Sequence, residues 1–347
     1  MDALVDRAAA ALERGEPEEA LAHAEEAVAA GPRHVPALHL RAAALAELGR
    51  ADEALEAYDR ALAEDERDPE LLLGAAEFLV NLADDGEPDR ELVERGLSLA
   101  RRGAKLARKG GDAVLAAELD AMEGTALNQL GRSDEALEAL GRAEATLPGS
   151  VDVLLEKGFA LYELCRFGEA REALLRAEAL DPEEPWTQHH LGLLAERLRD
   201  DEEARRRFAR ARKLAADEFP RPIALAPAAF DAAVEDALAS LPEPVRRYLS
   251  NVAITVEDLP SEDDLRGSDP PLSPAILGLF RGAPYGQKAS MDPWSHFPSS
   301  IVLYQKNLER FARDRRDLIE QIGVTLLHEV GHFLGLDEED LYARGLD

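Results

Sequence analysis

A spacing of 34 residues runs through the first two thirds of this chain. Gly124, Ala136, Leu140, Ala143 and Pro148 recur one step later as Gly158, Ala170, Leu174, Ala177 and Pro182, then as Gly192, Ala204, Phe208 and Ala211. Nearer the start, Ala20, Ala27 and Pro32 are followed by Ala54, Ala61 and Glu66, with Tyr58 between the two alanines. A period of this length marks a unit that cannot bury its apolar face alone and must stack on copies of itself. The small residues let the two helices of a unit approach closely, and the larger apolar residue fills the space between neighbouring units. Turns such as GRADEA, GRSDEA and CRFGEA join the two helices, with Gly or a polar residue ending the first. Units begin near residues 1, 35, 117, 151 and 185. Between 69 and 116 lies a longer unit, with DPELLLGAAEFLVNLA as its first helix and DRELVERGLSLARRGAKLARKG as a stretched second. This spacing predicts six helical hairpins, the third irregular.

The pattern of a small residue in helix A, then Ala, a large apolar residue, Ala and Pro in and after helix B resembles the tetratricopeptide repeat. The resemblance implies an α-solenoid whose groove takes a protein or peptide. Asn81, Asn128 and Lys157 are candidates to face that groove, but no full cationic set for clamping a peptide carboxylate stands out. His23, His34, His39, His189 and His190 all lie in this region. Adjacent His189 and His190 point in different directions on a helix and make a poor metal pair, so packing or surface roles are expected for all five. Cys165 reads as a small buried residue rather than a nucleophile.

Charge removes whole classes of function. A formal net charge of -30 argues against nucleic acid or an anionic membrane as partner, because both require a basic surface. One cysteine in the sequence allows no intramolecular disulfide. The acidic N-terminal stretch does not read as a signal peptide, and no run approaches the roughly 18 apolar residues of a membrane span. A cytoplasmic location is the expectation.

FPRPIALAP breaks the helical pattern, so the repeats are assigned to 1–218 and a second, small α+β domain to 223–347. There FDAAVEDALASL reads as an amphipathic helix ended by PEP, NVAITVEDL and SSIVLYQ as strands, and residues 260–298 as a loop-rich stretch containing ILGLFRG. From Asn307 onward one or two helices are expected, broken near Asp314–Asp317. SSIVLYQ is expected to lie along a cleft and to pair, as an edge strand does, with an extended substrate.

LLHEVGHFLGLDEEDL carries the chemistry. His328 and His332 stand four residues apart, so on a helix both imidazoles project from one face toward one metal. Glu329 follows the first histidine and points to the side, where it can take a proton from metal-activated water and pass it to a leaving amine. Gly335, three residues after His332, is suited to a left-handed turn that ends the helix. The acidic run from Asp337 to Asp340 then arrives where a third ligand is needed.

HEVGHFLGLDEEDL, with SSIVLYQKNLERFA and ILGLFRG upstream, resembles the small bacterial zincin-like metallopeptidases, whose motif is HExxHxxGxxD. The resemblance covers roughly 223–347. It implies a minimal zincin fold, zinc bound by His328 and His332, and Glu329 as general base. The third-ligand slot holds Glu338, a departure from Asp, with Asp337 as the competing ligand. Only nine residues follow Glu338, which leaves no room for a Met-containing turn beneath the site, so upstream residues must form its floor. Tyr304 and Tyr342 are candidate oxyanion stabilisers, and His296 an alternative ligand. The fold class is thus mainly α, a repeat solenoid followed by a zincin-like domain. The expected activity is zinc-dependent peptide-bond hydrolysis, with the repeats recruiting substrate or partner. The alternative is an interaction scaffold whose zincin domain binds metal without turnover.

Overall fold

The structure, a computed structural model, describes residues 1–84, 87–249, 252–282, 300–334 and 336. Two compact units form, Met1–Tyr162 with Arg166–Leu191, and Glu163–Cys165 with Gly192–Asp347. The helices of the repeats are α1 (Asp2–Glu13), α2 (Pro17–Ala30), α3 (Val35–Glu47), α4 (Ala51–Glu64), α5 (Pro69–Asn81), α6 (Arg90–Gly110), α7 (Ala113–Gln129), α8 (Ser133–Thr146), α9 (Val151–Glu163), α10 (Phe167–Leu180), α11 (Pro185–Arg197) and α12 (Asp201–Leu214). They alternate as the six hairpins that the spacing predicts, and those of the first unit stack into the expected solenoid. The irregular third hairpin carries a two-residue pair, β1 (Ala83–Asp84) with β2 (Glu87–Pro88), and its second helix is 21 residues long.

The period has a steric cause. A Cβ added at Gly124 would stand 2.5 Å from Leu140 Cγ, and one at Gly158 would stand 2.6 Å from Leu174 Cγ. Each glycine is therefore a socket for the large residue of its own hairpin, which corrects the expectation that this residue fills the space between neighbouring units. The turns share a second signature, a left-handed residue at Gly15, Gly49, Gly131, Cys165 and Arg199, with φ between 56° and 71°. Glycine adopts that conformation without a steric penalty, whereas Cys165 and Arg199 hold it against one.

The second unit begins at Gly192, inside α11, whereas the sequence period runs on to 218. α12 explains the difference, since it keeps the repeat spacing while Phe208 on it lies under the Arg310 guanidinium at 5.5 Å. Glu196 also binds Arg310 at 2.6 Å and Lys306 at 3.4 Å. Beyond lie α13 (Pro227–Ser240), α14 (Glu243–Leu249), β3 (Ala253–Glu257), α15 (Glu262–Leu265), β4 (Gly278–Arg281), β5 (Ser300–Tyr304), α16 (Gln305–Phe311) and α17 (Arg315–Leu334). The core joins Phe230, Ala233 and Val234 of α13 to Ile301 and Leu303 of β5 and to Leu318, Ile322, Leu326 and Val330 of α17. Those four α17 residues repeat every fourth position, the stripe of a helix laid on a sheet.

Two expectations are corrected by the sheet, whose order is β3-β5-β4. SSIVLYQ is not an edge. It is the central strand β5, parallel to β3 and antiparallel to β4, so both its sides are occupied within the sheet. Its burial explains this, because Ile301, Val302, Leu303 and Tyr304 are all fully enclosed, as a central strand requires. Among the described residues the outer strands are β3 and β4, the latter formed by ILGLFRG, read above as part of a loop.

Candidate functional site

α17 starts where the sequence predicts a break. Asp314 accepts hydrogen bonds from the backbone N–H groups of Arg316 (2.8 Å) and Asp317 (3.0 Å), satisfying donors that the first turn leaves free. The helix then runs unbroken through the motif. Its apolar stripe faces the core, Thr325 and Glu329 lie buried toward β4, and His328 and His332 are half-buried.

The two imidazoles converge. His328 Nε2 and His332 Nε2 are 3.1 Å apart, and the rings stand nearly perpendicular at 79°. His332 Nδ1 lies 3.2 Å from the Leu336 carbonyl, so its proton is assigned to Nδ1 and its Nε2 carries a lone pair. The Leu336 N–H in turn donates to the Gly331 carbonyl at 3.0 Å, the six-to-one closure of a helix terminus. Gly335, the residue proposed for that turn, lies outside the described residues. Two nitrogen lone pairs this close repel unless a cation or proton stands between them. Zinc, which binds imidazole nitrogen at about 2.0–2.1 Å, suits the pair. Among the described residues no third histidine, cysteine or carboxylate completes a metal-binding group. Glu338, Asp337, His296 and Tyr342 all lie outside the described residues.

Glu329 is 6% exposed, on the side of α17 that β4 covers. Tyr304, a candidate oxyanion stabiliser, is fully enclosed at the end of β5. Burial pushes its phenol upward, and the Asp264 charge adds to the effect. A hydroxyl with no exposed surface cannot reach a substrate, so Tyr304 is a packing residue.

β4 is held at both ends. Asn307, buried on α16, donates to the carbonyls of Pro274 (2.9 Å) and Ile276 (2.8 Å), and Tyr304 N–H donates to the Leu277 carbonyl at 2.9 Å. At the other end Arg281 donates to Glu257 (2.7 Å) and Asp264 (2.8 Å). Burial pulls the Asp264 carboxyl upward, but hydrogen bonds from Arg281 and Ser261 outweigh it and hold the group below its usual range. Sequence reading missed Gly278 and Asn307. An isolated glycine inside the apolar run ILGLF was the available signal, since such a glycine marks close backbone approach.

The repeats present three neighbouring cavities of about 470, 490 and 480 Å³. Glu77 lines all three, joined by Glu118 in two and by Asn81 in two. Among the described residues no Lys or Arg lines them. Burial raises the Glu77 carboxyl, and the charges of Asp152 and Glu118 add to this. Of the other groove candidates, Asn128 is buried and donates to the Glu156 carboxylate at 2.7 Å, and Lys157 pairs with Glu144 at 2.6 Å. Both serve the packing of the array. His190 is also buried, with Nδ1 2.9 Å from the Trp186 carbonyl and its ring edge-on to Phe159. Cys165 is fully enclosed, and burial raises its thiol, as a packing residue requires.

A family model for zincin-like metallopeptidases matches residues 249–346. Tetratricopeptide-repeat models match residues 5–69 and 127–188. No curated protein matches the chain. Among solved structures, pilF of Pseudomonas aeruginosa is 18% identical over 62% of this chain and 92% of its own, with a TM-score of 0.52. PilW, a widely conserved type IV pilus biogenesis factor, is 15% identical over 61% of this chain and 92% of its own, with a TM-score of 0.53. Likeness at these identities is one of fold alone. No helix among the described residues is long and apolar enough to cross a membrane. The chain joins an array of tetratricopeptide repeats to a domain of the zincin-like metallopeptidase family.

Proposed function

We propose that the chain is a zinc-dependent peptidase, with a repeat array at 1–218 that recruits a protein or peptide and a hydrolytic domain at 223–347. The observation that carries this reading is the convergence of His328 and His332 at 3.1 Å on the helix that also carries the buried Glu329. His328, His332 and Glu338, or Asp337 in its place, would hold the metal. Zinc bound there supplies Lewis acidity toward water and toward a peptide carbonyl. Glu329 takes the proton from the attacking water and hands it to the leaving amine. Its burial strengthens that role, because a carboxylate sheltered from solvent interacts more strongly with charge that develops beside it. β4 is an edge of the described sheet and offers its outer side to an extended peptide, which supports a peptide as substrate.

The test pairs metal analysis with turnover on a mixture of quenched fluorescent peptides. Wild-type protein is expected to hold one zinc and to cleave. Glu329→Gln is expected to keep the zinc and lose cleavage, and His332→Ala to lose both. Cleavage by Glu329→Gln at the wild-type rate sinks the assignment of the base. Zinc retained in full by a His328→Ala/His332→Ala double variant sinks the assignment of the site.

A further inference from the structure

β4 crosses α17 at a single glycine. A Cβ built on Gly278 would lie 2.5 Å from Thr325 Cγ2, 3.2 Å from the Val302 carbonyl oxygen and 3.5 Å from Glu329 Cγ. The first of these is closer than carbon atoms approach one another, so no side chain fits unless something moves. Gly278 does not adopt a left-handed φ, so the position demands glycine for space and not for backbone freedom.

What would move is decided by the anchors. β4 is paired with β5 along its length, and its approach is tied to Asn307 and Tyr304. Its exit is tied through Arg281 to Glu257 and Asp264. The strand is therefore the fixed body. A side chain at 278 pushes on Thr325, and Thr325 lies one helical turn before Glu329 on the same side of α17.

We propose that Gly278 is a positioning residue for Glu329. By leaving room for the Thr325 methyl, it keeps the Glu329 side chain packed against β4, and that packing sets where its carboxylate stands relative to the two histidines carried on the same helix. This rests on the reading of Glu329 as the base. It separates from that reading because it predicts a size-matched rescue, with Thr325→Ser removing the one methyl that a new Cβ would strike.

Three full-length proteins test it, namely wild type, Gly278→Ala and Gly278→Ala/Thr325→Ser, with Glu329→Gln as reference. Each is loaded with cobalt, and acetohydroxamic acid is titrated against the visible absorption of the metal. This probe chelates the metal and gives its acidic proton to a neighbouring base, so its affinity reports the placement of Glu329. All four proteins are expected to bind one cobalt with unchanged affinity, since neither histidine is altered. Gly278→Ala should bind the hydroxamate about tenfold more weakly, the scale of losing one charge-assisted hydrogen bond. The double variant should recover most of that loss, and peptide turnover should follow the same order. Unchanged hydroxamate affinity in Gly278→Ala overturns the proposal. So does a loss that Thr325→Ser fails to repair, which would mean general damage to the fold. Wild type that binds no cobalt overturns the metal-site reading itself, and the proposal with it.

Discussion

Gly124→Ala isolates the steric logic of the repeat. In an exposed helix this change stabilises by about 1 kcal/mol through propensity alone. Here the new Cβ would stand 2.5 Å from Leu140 Cγ and 2.6 Å from Leu140 Cδ2. Carbon atoms are at their best separation near 3.5–4.0 Å, so the overlap is about 1 Å on two atoms of a fully enclosed leucine. Overpacking of that kind costs about 1–3 kcal/mol, so the net effect is a destabilisation of about 1 kcal/mol. Leu140→Ala alone should cost about 2–5 kcal/mol through the cavity it leaves. In that background the overlap has gone, and Gly124→Ala should then stabilise by about 1 kcal/mol. The sign reversal gives a coupling of about 2 kcal/mol, well above the scatter of additive pairs. Urea titrations followed by far-UV circular dichroism measure it, provided the slope stays constant, since repeat arrays can unfold piecewise. If Gly124→Ala has the same sign in both backgrounds, the glycine is not a socket and the explanation of the period fails.

Other outcomes follow from groups described above. Asn307→Ala removes two hydrogen bonds and leaves the Pro274 and Ile276 carbonyls without them, so a loss of about 2–3 kcal/mol is expected in thermal unfolding of the second unit; a variant as stable as wild type removes Asn307 as an anchor of β4. Burial lowers the basicity of His190, with the Trp186 carbonyl and the Glu184 charge pulling the other way. The unfolded chain therefore takes up this proton first as pH falls below about 6.5, and stability is lost from there down through the folded value. His190→Gln should flatten the dependence of melting temperature on pH between 7 and 5; an unaltered slope means the acid sensitivity lies elsewhere. The carboxylate-lined cavities should favour a lysine-rich peptide over its glutamate counterpart by at least about tenfold at low salt, with the preference shrinking as salt rises. Fluorescence anisotropy reads this directly, and equal binding of both peptides would leave charge out of recognition. Glu77→Gln should weaken the cationic peptide while raising the stability of the free array at neutral pH, because the carboxyl that it replaces is raised by burial and by its neighbours' charges.

The hairpins were legible because their cause is local and repeated. A glycine in one helix facing a leucine in the next leaves the same mark every 34 residues, as with Gly124 and Leu140, then Gly158 and Leu174. The histidine pair was legible for a related reason, since four residues on a helix is a distance that the backbone itself sets. Strand order was not legible. Whether SSIVLYQ lies at an edge or in the centre depends on which segments return to it, and β3 reaches it from more than forty residues upstream. The composition of β5 did hold the answer, because IVLY carries no polar residue to face solvent, as an edge strand usually does. Gly278 was hidden for the same reason, since its partner Thr325 is distant in sequence.

Leu336 gives the site a property beyond geometry. Both of its backbone polar groups are committed, the N–H to ending the helix at Gly331 and the carbonyl to steering the His332 ring. Fraying of the final turn and misalignment of the imidazole are therefore a single event, and whatever ligand fastens the ring also knots the end of the helix. By linkage, metal at a hundred times its dissociation constant would resist that fraying by about 2.7 kcal/mol. A molecule that grips the chain just beyond His332 would act on the same equilibrium.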